Sequence, residues 1–255
     1  MHQGTPDNLQ RLSELVDQSQ AIACFTGAGI STESGIPDFR SPDTGLWNKI
    51  KPIQFQDFIG SEDVRKEAWS RKFSGAMNIE QAQPNAGHRA LAKLIDANKC
   101  IGIITQNIDN LHQNSGVSSD HVVELHGNGS YASCLSCGQR YELDDLKQQF
   151  EATGNVAPCT ACGGIIKSAT ISFGQAMPEA EMLRAQEITE QCDLMIVLGS
   201  SLSVYPAAGF PEYAKRLGAK LAIVNREPTP LDGLADVVIH EQIGLVMAHV
   251  VGLNE

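Results

Sequence analysis

The chain has 255 residues, enough for one large core or a large domain with a smaller satellite, and its 42% hydrophobic and 19% charged content is that of an ordinary globular protein. Its formal net charge of −11 argues against direct nucleic-acid binding, which relies on basic patches, and no apolar run approaches the ~20 residues that span a bilayer. The opening MHQGTPDNLQ has neither the basic nor the apolar region of a secretory signal, so the expected location is cytoplasmic.

Leu9, Leu12, Leu15 and Val16 sit at helical spacing ahead of an apolar strand over 21–25. Gly27-x-Gly29 then opens like the first turn of a βαβ unit, where glycines let backbone N–H groups and a helix N-terminus approach a pyrophosphate. The third glycine of that fingerprint is replaced by Thr32, and no acidic residue stands near 45–48 to hold a ribose. Instead Pro37-Asp38-Phe39-Arg40 places an aromatic ring and a guanidinium on a loop. Pro84 opens a helix with Leu91, Leu94 and Ile95 on one face. Strands are expected over 100–105, 121–125, 169–173, 194–198, 220–224 and 236–239, with helices over 178–190 and 207–217 and a last helix ending near 251.

Short apolar strands between helices predict an α/β fold, a Rossmann-like parallel sheet with helices on both faces. Two stretches interrupt the alternation and predict a smaller lobe. The expected division is a Rossmann-like dinucleotide domain from 1–32, 84–126 and 168–255, a loop and helical insertion over 33–83, and a cysteine-bearing insertion over 127–167. The strand ends carry Gln106-Asn107-Ile108-Asp109, Glu124-Leu125-His126, Gly199-Ser200-Ser201-Leu202-Ser203 and Asn225-Arg226-Glu227. Ser201, Ser203 and Asp109 taken singly read as turns or caps; four polar ends on one sheet edge predict a ligand crevice between the lobes.

Four of the seven cysteines form Cys134-x2-Cys137 and Cys159-x2-Cys162, separated by 21 residues. Two such knuckles, each followed by glycine, predict a four-cysteine zinc ribbon. A disulfide framework is the competing reading, and a reducing compartment disfavours it. Four thiolates fill a tetrahedron, so the metal is expected to be structural. Cys24, Cys100 and Cys192 lie in or beside apolar strands and read as small buried hydrophobes. Among the histidines, His121, His240 and His249 read as structural or exposed. His88 is expected to pack beneath the crevice and His112 to support it, while His126 ends a strand on the crevice side.

The motifs taken together resemble the sirtuins, NAD-dependent protein lysine deacylases. They are Gly27-Ala-Gly-Ile-Ser31, Gly35-Ile-Pro-Asp-Phe-Arg40, Pro84-Asn-Ala-Gly-His88, Thr105-Gln-Asn-Ile-Asp109, Leu125-His126-Gly127, the four cysteines, Gly199-Ser-Ser-Leu202 with Val204 and Pro206, and Asn225-x-Glu227. The resemblance implies that an acyl-lysine oxygen attacks C1′ of the nicotinamide ribose, that nicotinamide leaves, and that NAD is consumed as a co-substrate beside one structural Zn2+. It makes His126 the base, a role suited to an unperturbed pKa of about 6.5. It places Asn107 beside the ribose and a water, Ile108 and Asp109 against the carboxamide, and Phe39 over C1′, with Arg40 facing the phosphates. Gly27, Ala28, Gly29, Ser31, Gln106, Gly199, Ser200, Ser201, Asn225 and Glu227 complete the implied NAD site. Ile171, Phe173 and Gly174 would flank an acyl-lysine peptide bound as an added strand in the inter-lobe cleft.

The chain departs from the family over 167–175, where the usual Pro, acidic or His position and final Glu are Ser168, Ala169 and Gln175. This change bears on peptide preference and keeps a second reading open, protein mono-ADP-ribosyl transfer or NAD hydrolysis at the same site. A third, a zinc-ribbon binding module with a vestigial nucleotide lobe, is disfavoured by the intact His126 and Asn107. The Tyr and Arg that receive succinyl or malonyl groups in some sirtuins align with Lys72 and Gly75, so neutral acyl groups, acetyl first, are expected.

Overall fold

The computed structural model describes residues 5–38, 51–75 and 79–253. Helix α1 (Thr5–Gln18) leads into β1 (Ile22–Thr26), and the first insertion contributes α2 (Phe55–Gly60) and α3 (Glu62–Phe73). The chain continues through α4 (Ala86–Asp96), β2 (Cys100–Thr105), α5 (Leu111–Asn114) and β3 (Val122–Glu124). The second insertion holds β4 (Gly127–Cys134), β5 (Arg140–Glu142), α6 (Leu143–Thr153) and β6 (Ile166–Thr170). Then follow α7 (Glu179–Gln191), β7 (Leu194–Leu198), α8 (Gly209–Arg216), β8 (Lys220–Val224), β9 (Val237–Ile239) and α9 (Ile243–Val251).

Six strands form one parallel sheet in the order β3-β2-β1-β7-β8-β9. Strands β1 and β7 read IACFT and LMIVL and are buried along their whole length, as an apolar run must be when helices cover both faces of a sheet. Side chains alternate between the two faces. Ile22 and Cys24 join a core with Leu12, Leu91 and Met247 of α1, α4 and α9. Ala23 and Phe25 join a second core with Ala185 of α7 and Phe210 of α8.

From β1 the chain builds outward to β2 and β3, then returns to the other side of β1 as β7. The strand order therefore reverses at the β1/β7 boundary, the place where an open α/β sheet leaves a crevice at its carboxyl edge. The turn after β1 and the turn after β7 cross there. A Cβ on Gly29 would stand 2.6 Å from Gly199 Cα, and Gly199 itself has a φ of 66°, so the crossing excludes a side chain at either glycine.

The smaller lobe is an antiparallel sheet in the order β5-β4-β6. Trp69 of α3 is buried against Ala132, Leu146 and Ile166, so the two insertions share one core although they are far apart in sequence. The strand expected over 169–173 lies at Ile166–Thr170 instead. Pairing with β4 sets this register; beyond it, Ile171 N–H leaves the ladder to donate to His126 O at 2.8 Å, and Gly174 turns with a φ of 79°.

Gly199→Ala is expected to destabilise the fold by about 3 kcal/mol in urea unfolding, combining left-handed strain with overpacking. Gly209, at the start of α8, would bring its Cβ within 4 Å of nothing, so Gly209→Ala should be neutral or slightly stabilising. Equal effects at the two positions would contradict the close crossing.

Candidate active site

A cavity of about 850 Å3 runs along the carboxyl edge of the large sheet and under the smaller lobe. Gly27, Ala28, Gly29, Gln106, Asn107, Ile108, His126, Gly199, Ser200, Ser201, Asn225 and Glu227 line it, as do Ile171, Phe173 and Gly174 at the lobe side. Ser31 and Asp109 lie beneath this surface, buried and hydrogen-bonded to each other at 2.6 Å. Phe39 and Arg40 lie outside the described residues.

The glycine turn works differently from the expected phosphate cradle. Gly27 N–H donates to Leu198 O at 3.0 Å and Gly29 N–H to Gly199 O at 2.8 Å. Both amides thus bind the end of β7, and the segment continues as a 3-10 helix over Ala28–Ser34. The glycines are needed because two backbones meet, and those two N–H groups are already engaged within the protein.

The polar floor is built from β2. Asn107 lines the cavity and donates from Nδ2 to Gly27 O at 3.1 Å and to Ser31 Oγ at 3.2 Å, which fixes its amide against the glycine turn. Gln106 Nε2 donates to Ser200 Oγ at 2.8 Å, and that hydroxyl in turn accepts Leu202 N–H at 3.2 Å. Asp109 accepts from Ser31 and from Leu111 N–H; burial raises its carboxyl pKa against the opposing pull of these two hydrogen bonds. Glu124 is likewise raised, first by burial, and accepts from Gln113 at 2.8 Å and Asn128 at 2.7 Å. Asn225 donates to Glu227 O at 2.6 Å, folding the end of β8 back on itself.

His126 follows β3 and reaches this floor from the side. Its Nδ1 lies 3.0 Å from Gln106 O. A carbonyl can only accept, so Nδ1 carries the proton and Nε2 of the neutral ring is the basic nitrogen. One backbone carbonyl thereby fixes both the orientation and the tautomer of the ring.

The four cysteines converge apart from the cleft, with all their Sγ atoms within 4.8 Å of one another. Cys134–Cys162 and Cys137–Cys159 sulfur separations are 3.5 and 3.7 Å, close to the ~3.8 Å edge of a tetrahedron with 2.3 Å Zn–S bonds. Each knuckle closes with the same turn: Gly138 N–H donates to Cys134 O and Gly163 N–H to Cys159 O, both glycines having a φ of 73°. The donor set and spacing fit a structural zinc with no position left for substrate.

Three features of the site were not expected from the sequence. Lys167 is only 4% exposed, and desolvation lowers its pKa to about 8. Its ammonium donates to Thr170 O at 2.5 Å and Ser168 O at 3.3 Å; a lysine within a short strand offers no sequence signal for such burial. Thr26 and Thr105 pair in register at the ends of β1 and β2, and matching hydroxyls at two strand ends were a usable signal. His88 and His112, expected beneath and beside the crevice, are both buried, and what the sequence did not show is that their rings pair, with centroids 5.1 Å apart. Burial lowers the His112 pKa to about 4, and burial with the nearby His112 and Arg89 lowers that of His88 to about 2.

Fold and cleft together define a Rossmann-like α/β protein whose ligand site is shared with a four-cysteine ribbon lobe. The Sir2 family model matches residues 27–206. Along 96% of both chains the protein is 53% identical to an NAD-dependent protein deacetylase of Rhodopseudomonas palustris. It is 42% identical to another from Thermodesulfovibrio yellowstonii, over 94% of this chain and 93% of that one. A solved Sir2 complex with a p53 peptide and NAD+ superposes with a TM-score of 0.84 at 35% identity, covering 96% of this chain and 97% of the other. A Sir2 structure with deacetylated p53 peptide and 3′-O-acetyl-ADP-ribose gives 0.86 at 35% identity, with the same coverage. The chain belongs to the Sir2 family.

Acid stability follows from the histidine pair. Both imidazoles are neutral in the fold, with pKa values lowered from about 6.5, so the unfolded chain binds more protons below that value. Their stabilising contribution is present above the unfolded pKa of about 6.5 and is lost as pH falls below it, down to about 4 for His112 and about 2 for His88. Between pH 7 and pH 5 the wild type should lose about 2 kcal/mol through His112 alone. His112→Gln should show a correspondingly shallower pH dependence in urea unfolding; equal slopes would contradict a buried neutral His112.

Proposed function

We propose that the protein removes acyl groups, acetyl foremost, from lysine side chains of proteins or peptides, consuming NAD and yielding nicotinamide, O-acyl-ADP-ribose and free lysine. The observation that carries this reading is His126: Gln106 O holds its Nδ1–H and leaves Nε2 as the proton acceptor on the same cleft wall as Asn107. The named relatives and the NAD and peptide complexes of structural neighbours support it.

In this reaction the acyl oxygen attacks C1′ of the nicotinamide ribose while the C1′–N bond breaks and nicotinamide departs. His126 Nε2 takes the proton of a ribose hydroxyl, whose oxygen attacks the imidate carbon; the lysine nitrogen leaves as the free amine and water adds to that carbon, so the acyl group ends on the ribose and the original acyl oxygen stays on C1′. Asn107 Oδ1 receives the ribose hydroxyl or that water. Ile108 at the cavity wall and, by motif, Asp109 buried just beneath it are assigned to the carboxamide, whose burial unpaired would cost about 1–3 kcal/mol. Ser200, Ser201, Asn225 and Glu227 hold the adenosine side, with Phe39 and Arg40 assigned by motif to the C1′ shield and the phosphates. The acyl peptide lies along Ile171, Phe173 and Gly174 as an added strand. The four-cysteine zinc fixes the small lobe, and a metal held by thiolates suits a reducing, cytoplasmic setting.

Incubated with NAD and an acetylated peptide, the protein should release nicotinamide together with O-acetyl-ADP-ribose. His126→Tyr should abolish both while leaving the thermal midpoint nearly unchanged. Nicotinamide without peptide-dependent acetyl-ADP-ribose would instead assign ADP-ribosyl transfer or NAD hydrolysis.

Acyl preference follows from the far end of the cleft. Lys72 donates to Gly129 O at 2.7 Å and Arg71 to Lys51 O at 2.8 Å, so both hydrogen-bond to backbone carbonyls. No Tyr–Arg pair stands at 72 and 75. Turnover of acetyl peptide should exceed that of succinyl peptide by at least about tenfold. Faster desuccinylation would assign Lys72 and Lys167, both at the cleft wall, as carboxylate receivers.

A further inference from the structure

Beneath the cleft floor lies a chain of hydrogen bonds whose directions can be worked out atom by atom. Asn107 N–H donates to Thr105 Oγ1 at 3.0 Å. Thr105 Oγ1 also accepts the hydroxyl proton of Thr26, whose Oγ1 lies 2.8 Å away. Thr26 has one hydroxyl proton and it is thus committed. His112 Nε2, 2.9 Å from the same oxygen, must therefore be the donor. His112 is accordingly the Nε2–H tautomer, and its Nδ1 is an acceptor.

That Nδ1 is buried without a partner. Across from it, His88 accepts Asn85 N–H at Nδ1, 3.3 Å away, as part of the capping box that starts α4. The His88 proton is then on Nε2, and this atom too is buried without a partner. The two unpaired atoms are an N–H donor and a nitrogen acceptor, on tilted rings with centroids 5.1 Å apart. Each alone would cost about 1–3 kcal/mol; the two are complementary in kind.

The hydrogen-bonded chain thus runs from His112 through Thr26 and Thr105 to the backbone of Asn107, with the His88 ring packed against His112 but not bonded to it. Asn107 is pinned from the other side by Gly27 O and Ser31 Oγ. We propose that His112 is a positioning residue, which through the hydroxyls of Thr26 and Thr105 fixes the backbone of Asn107 and so aims its side chain at the reacting ribose. The inference rests on the deacylase reading for what Asn107 meets, and on this chain's own hydrogen bonds for the rest. His112 touches no substrate; it selects the direction of every donor between itself and Asn107. A ring with Nε2 unprotonated would accept from Thr26 instead of donating to it and so reverse the Thr26 hydroxyl.

The test uses the full zinc-loaded chain. Histidine 15N spectra at pH 7 should show His112 as the neutral Nε2–H tautomer, and an Nδ1–H tautomer or an imidazolium would overturn the proposal without any variant. Thr26→Val keeps the side-chain shape and removes the hydroxyl, whereas Thr26→Ser keeps the hydroxyl. The valine variant should lower kcat about tenfold, the equivalent of one hydrogen bond, with the KM for acetyl peptide unchanged and the Asn107 amide resonance shifted. The serine variant should retain the wild-type kcat and the wild-type Asn107 resonance. Equal losses in both variants, or none in valine, would reduce the chain to packing. If the wild type itself forms no O-acetyl-ADP-ribose, the deacylase reading fails; the tautomer and the Asn107 amide still decide whether the chain exists.

Discussion

The site depends on one close approach, the crossing of the turn after β1 and the turn after β7. It occurs where the strand order reverses, so the carboxyl ends of β1, β2, β7 and β8 open into one crevice. Gly29 N–H and Gly199 O lock the crossing at 2.8 Å. Gly27 O is thereby fixed as an acceptor for Asn107, and Ser200 follows Gly199 into reach of Gln106. Gln106 in turn supplies the carbonyl that sets the His126 tautomer. A backbone contact at the switch point thus propagates through two amide side chains to the proposed base.

The second lobe reaches the same cleft by a different route. Its sheet and the α3 insertion share a core around Trp69, and the four-cysteine cluster closes the distal end. Ile171 N–H on His126 O joins this lobe to the base. The backbone of His126 therefore belongs to the seam between lobes while its ring belongs to the nucleotide side. A movement of the ribbon lobe would act on the base through this hydrogen bond and through the peptide link to Gly127, where β4 begins, which gives a structural zinc influence over chemistry it does not touch.

Much of this was legible in the sequence, for identifiable reasons. The short apolar runs at 21–25 and 194–198, alternating with helical patterns, read as buried parallel strands, and the cysteine spacing with its trailing glycines pointed to a metal ribbon. The polar strand ends were visible because residue type changes abruptly where each apolar run stops. The glycine turn was legible as a close approach, but its partner was not. Sequence suggested a phosphate, and the amides of Gly27 and Gly29 bind the end of β7 instead. The register of β6 was missed because ladder pairing with β4, a long-range property, decides it. The burial of Lys167 and the Thr26–His112 hydrogen bond also depend on contacts between distant segments, which no local pattern encodes.

The account holds that NAD is consumed as a substrate, with the acyl oxygen as nucleophile at C1′. A peptide carrying 18O in the acetyl carbonyl tests this most directly, by mass spectrometry of the products. The label should be found in the acetylated ADP-ribose, with no labelled free acetate formed in step with lysine release. Labelled acetate, with ADP-ribose unlabelled, would mean that water attacks the amide directly and would contradict the account.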